Sequence, residues 1–578
     1  MNSVMFATAL RETIADKSLW LSLRQNILAG LTVGVVALPL SMGLAIASGV
    51  PPQHGLYTAI VGGIVIALAG GSRVNISGPT AAFVVILLPI VQQYGLGGLL
   101  VSGALAGLIL ILFGVMQLGR IIQVIPYPVV IGFTSGIGVV IATLQVADFM
   151  GLTVTTHPAQ FHAKVLAILH ALPSLRWQEC LIGVLTLVTI ILWKKTRSRI
   201  PGYLVGLLIA SVLGLVFNHW TDLHIATIDD RFHYQLGGQT LPGIPGIVPQ
   251  FVLPWNWPDT HDASITLSWT TFNTLLGAAF AIAVLGALES LLCAIVADGM
   301  SGHRHDSDSE LIGQGLGNIA VAFFGGIPAT AAIARTATNI RSGGNTPLAA
   351  VVHAITVLLA MLMFARWLGY IPMSAMAAVL MVVAWNMSEA HHAVRIVRKA
   401  PRTDAVVYLV CFALTVLVGM QVAIAVGLVL ASFIFIRRMI ELTGTSLVDH
   451  RHKAHEFSEL PDVVVYDVDG PLFFGAAHKA MSTLASVDRH VKAVVLDMHD
   501  VGMLDVTAMT ALESTAANMQ QRNTRLILCH VKPRMIEKLK RYGISEQQSA
   551  IAFAENMEQA RQILANEFGV KPTAPGGS

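Results

Sequence analysis

The chain has 578 residues, of which 54% are hydrophobic and only 12% charged, and its mean hydropathy is +0.68. Soluble domains carry about a quarter charged residues, so a chain this apolar could not cover its own surface, and a soluble multidomain enzyme is excluded. A formal net charge of +3 is too small to argue for a nucleic-acid partner.

The first 25 residues are polar, with Arg11, Glu12, Asp16, Lys17 and Arg24, and read as an amphipathic cytoplasmic segment, not a cleavable signal. From 26 to 438 one apolar block follows another, many of them close to the roughly 20 residues that cross a hydrocarbon core. They fall near 27–48, 53–71, 78–93, 97–117, 124–147, 178–194 and 202–218, then near 272–298, 310–325, 329–340, 346–365, 369–386, 404–419 and 421–436. About fourteen segments make a polytopic α-helical membrane body.

Charge supplies the orientation. Arg73, Arg120, Lys194 to Arg199, Arg304, Arg341, Arg395 to Arg402 and Arg437-Arg438 each follow an even-numbered segment. The connection from His219 to Thr270 instead holds five aspartates against Arg231 alone, although Lys164, Arg176 and Arg366 also fall on that side. Lys and Arg collect on the cytoplasmic face, so both termini are expected in the cytoplasm.

Residues 439–461 are polar and His-rich and read as a linker. Over 462–567, β-like runs at Val463–Val468, Val491–Met498 and Leu526–Cys529 alternate with helical ones around Ala476–Ala485, Val506–Gln521 and from Pro533. Met509, Leu512, Ala516 and Met519 give the middle helix one apolar face. This alternation predicts a compact α/β domain, followed by a disordered tail over 568–578.

Two places resist a plain hydrophobic reading: Ile76-Ser77-Gly78-Pro79-Thr80-Ala81-Ala82-Phe83, and Gly325-Gly326-Ile327-Pro328-Ala329-Thr330-Ala331-Ala332-Ile333-Ala334-Arg335. Each sets a Gly/Pro break before a short apolar helix and contains Thr-Ala-Ala. They occupy the third and tenth segments, which correspond if fourteen divide into seven and seven. Paired interrupted segments mark an inverted-repeat transporter, and half-helix N-termini favour an anion.

Arg335 offers a donor fork suited to a carboxylate or sulfate; the alternative is a side chain snorkelling from a helix end. Glu289, in the middle of the eighth segment, reads either as a protonatable coupling group or as the permanent ion-pair partner of Arg335. Cys180, Cys293, Cys411 and Cys529 show no metal-ligand spacing and read as free thiols. His303-Arg304-His305-Asp306 and the stretch from His450 to His455 read as solvated loops, so no metal or cofactor is expected. With no phosphate-binding loop and no catalytic triad, the chain reads as a secondary transporter, not an enzyme or an ATP-driven pump.

Leu38-Pro39, Val50-Pro51-Pro52, Gly55-Leu56-Tyr57, Ser77-Gly78-Pro79-Thr80, Ala334-Arg335-Thr336 and Glu289 followed by Ala297-Asp298-Gly299-Met300 resemble the sulfate permease (SulP) family, bacterial relatives of the mammalian anion exchangers and prestin. The resemblance implies seven-plus-seven inverted repeats forming core and gate domains, a cytoplasmic STAS (sulfate transporter and anti-sigma factor antagonist) domain, and a homodimer in a bacterial inner membrane. It places the anion against Pro79, Thr80, Ala81 and Ala82 of the third helix and Thr330, Ala331, Ala334 and Arg335 of the tenth. Leu40 and Leu44 match cavity-lining positions, here aliphatic. Glu289 matches an acidic position that serves relatives as a sodium ligand or a proton site, and a Glu favours the proton. In the STAS domain, Asp505 caps a helix whose Thr507 is the candidate phospho-acceptor, and the resemblance allows contact with acyl carrier protein.

Gly70-Gly71-Ser72-Arg73, Gly313-Gln314-Gly315-Leu316-Gly317-Asn318 and Ala384-Trp385-Asn386-Met387-Ser388-Glu389-Ala390-His391 narrow the resemblance to DauA-type aerobic C4-dicarboxylate transporters. That implies proton-coupled symport of succinate, fumarate or aspartate by alternating access. Sulfate or bicarbonate, with sodium as the coupling ion, is the alternative within the same fold. A membrane-anchored, anion-sensing signalling protein acting through STAS is the alternative of another class.

Overall fold

A computed structural model describes residues 6–119, 126–258 and 268–442 apart from positions 157, 159, 197, 199, 222 and 237, and then 444–447, 460, 462–485, 488, 490–544 and 551–569. The chain divides into two compact units, Met1–Val429 and Leu430–Ser578.

The first unit is helical. Among the described residues nine helices are long and apolar enough to cross a membrane, or ten with the pair Phe161–Ser174 and Trp177–Trp193, bent by 115°. Each of the fourteen expected segments nevertheless overlaps a helix in its described residues, the third and tenth only beyond a short strand. The third and fourth are joined in Ala81–Val115, where Gly95 at φ 68° breaks the run; a side chain is strained there and glycine is not. Ser307–Phe323, Ile333–Arg341 and Arg402–Leu417 are too short to count as full spans alone. Peripheral helices keep large apolar side chains outward: Leu208 is 67% exposed and Val429 70%. Such surface needs lipid, not water, around it.

Two very short strands lie inside this unit, β1 (Ser77–Gly78) and β4 (Thr330–Ala331). Between them in sequence, β2 (His233–Leu236) and β3 (Gln239–Pro242) form an antiparallel hairpin. The four cysteines are free, three of them buried.

The second unit holds a five-stranded sheet in the order β5 (Gly444–Leu447), β6 (Val463–Asp469), β7 (Ala493–Asp497), β8 (Arg525–Cys529) and β9 (Ile551–Ala554). β5 runs antiparallel to β6, and the remaining neighbours are parallel. Alternate side chains face opposite ways along a strand. Val494, Leu496, Leu526 and Leu528 therefore pack on Leu512, Ala516 and Leu539 on one face, and Val495 and Ile527 pack on Ala560 and Leu564 on the other. Residues 439–461 were expected to be a linker, yet Gly444–Leu447 adds an edge strand. An edge strand needs only backbone pairing on one side, so a polar stretch can supply it. Residues 448–459 and the tail from 570 lie outside the described residues.

Candidate functional site

The two Gly/Pro breaks meet. Ser77 pairs with Ala331 and Gly78 with Thr330 in an antiparallel register, the relation that an inverted repeat requires. The junction extends through Ala332 N donating to Ile76 O at 2.9 Å and Ile76 N donating to Thr336 Oγ1 at 3.0 Å. Asn339 Nδ2 adds a bond to Val74 O at 2.9 Å. Pro79 has no N–H to continue the ladder, so β1 stops there. Thr80 is extended, and helix begins at Ala81; Ala332 is likewise extended, and helix begins at Ile333. Neither helix start carries a side-chain cap, which leaves first-turn N–H groups of both without a side-chain partner.

Arg335 lies in the first turn of the second half-helix and is 4% exposed, so it does not snorkel to a helix end. Its Nη2 donates to Pro79 O at 2.5 Å, which ties the second half-helix to the first. Nη1 is buried without a hydrogen-bond partner. No salt bridge to a carboxylate involves it among the described residues. A Cβ on Gly78 would stand 2.7 Å from Nη1, so only glycine leaves the guanidinium this close to the backbone.

Glu289, whose alternative reading was an ion pair with Arg335, makes no salt bridge with it among the described residues. It sits on Trp269–Ser301 beside the Thr80 hydroxyl, whose oxygen is buried without a partner of normal hydrogen-bond geometry. The next residue, Ser290, shares a 2.8 Å hydrogen bond with Thr330 Oγ1 and accepts from Ala331 N at 3.3 Å. One helix thus touches both breaks through adjacent side chains. Pro79, Thr80, Ala81, Ala82, Thr330, Ala331 and Arg335 are all buried around the junction. Ala334 is exposed on a neighbouring face. Leu40 and Leu44 are not joined to the junction by any hydrogen bond; Leu44 is buried, and Leu40 packs half-buried against the cluster of Met42, Leu56 and Met376. Thr507 belongs to the second unit, exposed on the first turn of Val506–Gln521, while Asp505 Oδ1 accepts from Ala508 N at 2.8 Å.

Sequence reasoning missed the scaffold behind the junction. Glu310, Gln314 and Asn318 recur every fourth residue on Ser307–Phe323, all three 1% exposed or less. Glu310 Oε2 accepts from Gly71 N and Ser72 N, each at 3.0 Å, and Oε1 accepts from Asn75 Nδ2 at 3.0 Å and Gln314 Nε2 at 3.1 Å. Gln314 Nε2 also donates to Ser77 Oγ. Asn318 holds Ala329 by both its N–H and its carbonyl, and Thr58 Oγ1 donates to Ile327 O at 2.8 Å. Three polar residues at helical spacing in an apolar segment were the available signal. Across the same loop, Arg73 pairs with Glu12 and Asp16. Hydrogen bonds from Ser18, aided by Arg73, hold the Asp16 carboxyl down at about 2, so that contact stays ionised at neutral pH.

Glu310→Gln replaces one acceptor oxygen with an NH2 donor that faces buried N–H donors. It is expected to destabilise the protein by about 1–3 kcal/mol, seen as a lowered thermal midpoint in detergent. An unchanged midpoint would show that the loop holds without the carboxylate.

Apolar helices interrupted at two paired points, followed by a five-stranded α/β domain, define a polytopic membrane transporter fold with an α/β accessory domain. The sulfate permease family pattern matches residues 23–411 and the STAS domain pattern residues 455–560. The chain belongs to the sulfate permease family, whose members are anion transporters, and it carries a C-terminal STAS domain. It is 41% identical over 525 residues to YvdB of Bacillus subtilis (strain 168), provisionally named a sulfate transporter, covering 90% of this chain and 94% of that protein. It is 28% identical to the bicarbonate transporter BicA of Picosynechococcus sp., covering 91% and 92% respectively. The solved murine Slc26a9 anion transporter shares the fold, with a TM-score of 0.78 at 17% identity over 94% of this chain and 91% of that one.

Proposed function

We propose that this chain is a proton-coupled secondary transporter that holds a small oxyanion between the starts of the two half-helices. The observation that carries this reading is Arg335, buried, without a carboxylate partner among the described residues and with Nη1 unpaired, where β1 and β4 pair. A buried guanidinium is costly without a counterion. An arriving anion supplies that counterion and accepts from the uncapped amides near Ala81 and Ile333. Glu289, beside Thr80, is the coupling group, with protons favoured over sodium. Alternating access, cytoplasmic termini, a homodimer, Thr507 as phospho-acceptor and an acyl carrier protein contact at STAS complete the reading.

Two substrate classes carry separate support. The resemblance to C4-dicarboxylate transporters rests partly on Gly71, Ser72, Gln314 and Asn318, and these residues build the scaffold, so they bear on architecture more than on substrate. The names of YvdB and BicA favour sulfate or bicarbonate. A panel of labelled succinate, sulfate and bicarbonate in proteoliposomes, with and without an acid-outside gradient, decides among them. Saturable uptake of one, accelerated by the gradient, is the expected outcome. If none moves under a proton or a sodium gradient, transport fails and a membrane-anchored anion sensor acting through STAS takes its place.

A further inference from the structure

A second polar feature lies outside the junction. A pocket of about 390 Å3 opens where three odd-numbered segments end, bounded by Ala47 and Gly49, by Leu88 and Gln92, and by Gln145 and Asp148. The helix Phe161–Ala171 closes another side through Lys164, and Arg231 reaches in from the long connection. At 1.5 Å per residue, Leu88 and Gln92 stand about 10–16 Å along the helix from its start at Ala81. Ala47 lies about one turn beyond Leu44. The pocket therefore lies beyond the junction along the third helix, toward the non-cytoplasmic side in the orientation that the charge pattern predicts.

Three charged groups line it: Asp148, Lys164 and Arg231. Arg231 Nη1 is ion-paired with Asp148 Oδ1, so those two largely cancel. Lys164 is half-buried and has no ion pair among the described residues. The uncharged polar side chains of the wall are those of Gln92, Gln145 and Thr156, and the rest of the lining is mostly aliphatic.

We propose that Lys164 makes this pocket an entry site, which concentrates small doubly charged oxyanions ahead of the Arg335 site. The proposal deepens the transport reading and rests on it. An uncancelled charge in a concave, low-dielectric wall focuses the field and raises the local concentration of counter-charged solutes. Lysine suits this task because its ammonium is a compact, hydrated point charge without the bidentate fork of arginine. It attracts without trapping, and a pathway site must release its ion.

The test uses the full chain. In a Cys180→Ser background the remaining cysteines are buried, so Gln92→Cys places one reactive thiol in the pocket wall. Its modification rates are measured with an anionic sulfonate and a cationic trimethylammonium methanethiosulfonate. Lys164→Gln is expected to lower the anionic-to-cationic rate ratio at least about threefold at low salt. Lys164→Arg should preserve the ratio, and about 1 M salt should erase the difference. In uptake assays Lys164→Gln should raise the KM for sulfate or succinate about threefold with little change in maximal rate. A rate ratio that Lys164→Gln leaves unchanged overturns the proposal, as does an unchanged KM. The thiol measurement needs no transport, so it still decides this question if the Arg335 reading fails.

Discussion

Arg335→Ala is expected to abolish measurable anion binding while leaving the protein folded. Removing one partner from a buried, hydrogen-bonded charge pair costs about 2–5 kcal/mol, an affinity loss of at least about 30-fold. The effect on the anion-free protein has the opposite sign. There the guanidinium is buried, with Nη2 on Pro79 O and Nη1 unpaired, and a buried charge without a counterion is a burden on the fold. The variant should therefore match or exceed the thermal midpoint of the parent in the absence of anion. Only the parent should gain midpoint as anion is added, because a ligand that binds the folded state alone stabilises it by mass action. Arg335→Lys should fall between them, keeping the charge but losing the planar fork. An Arg335→Ala protein with parental affinity would place the anion elsewhere. One that unfolds would make Arg335 a structural tie through Pro79.

The membrane body was legible because its signals are local. Apolar runs and Gly/Pro breaks need no knowledge of distant chain, and each of the fourteen expected segments overlaps a helix in its described residues. In the soluble unit Val506–Gln521 was readable from Met509, Leu512, Ala516 and Met519, all buried. β9 and the helix Met557–Phe568 went unread because Ile551–Ala554 is four residues long and its pairing with β8 is non-local. Non-locality hid the register in which the two breaks pair and the Glu310 scaffold behind them. Ser77 and Ala331 are neighbours only after about 250 intervening residues have folded, and their pairing leaves no trace in either segment's composition. Glu289 shows the limit most clearly. Its sequence marks a carboxyl in an apolar helix, and pairing with Arg335 was a reasonable alternative. The structure turns it toward Thr80, because Ser290 on the adjacent face is committed to Thr330 and Ala331. Which of two adjacent side chains meets which break is set by helix rotation, and that rotation is fixed by packing.

That separation makes Glu289→Gln informative about coupling. Were the carboxylate the fixed counterion of Arg335, its neutralisation would strand the guanidinium and disturb binding. In the observed arrangement it makes no salt bridge with Arg335 among the described residues and sits beside the Thr80 hydroxyl. Glutamine keeps the shape of a protonated glutamic acid but has a single form, so it can neither load nor release a proton. Anion affinity should stay within about threefold of the parent, a change of roughly 0.7 kcal/mol, while accumulation loses its response to an acid-outside gradient. Charge bookkeeping sets the size of the loss. Moving a dianion inward against an inside-negative potential costs about 4.6 kcal/mol per 100 mV, and only cotransported cations offset it. Without them the variant should equilibrate its anion to a level below the external one, where the parent concentrates it. Flux measured in proteoliposomes with potential and pH gradient clamped separately checks this. If Glu289→Gln accumulates anion as the parent does when only the pH gradient is imposed, the proton travels by another group and Glu289 is a positioning residue for Thr80.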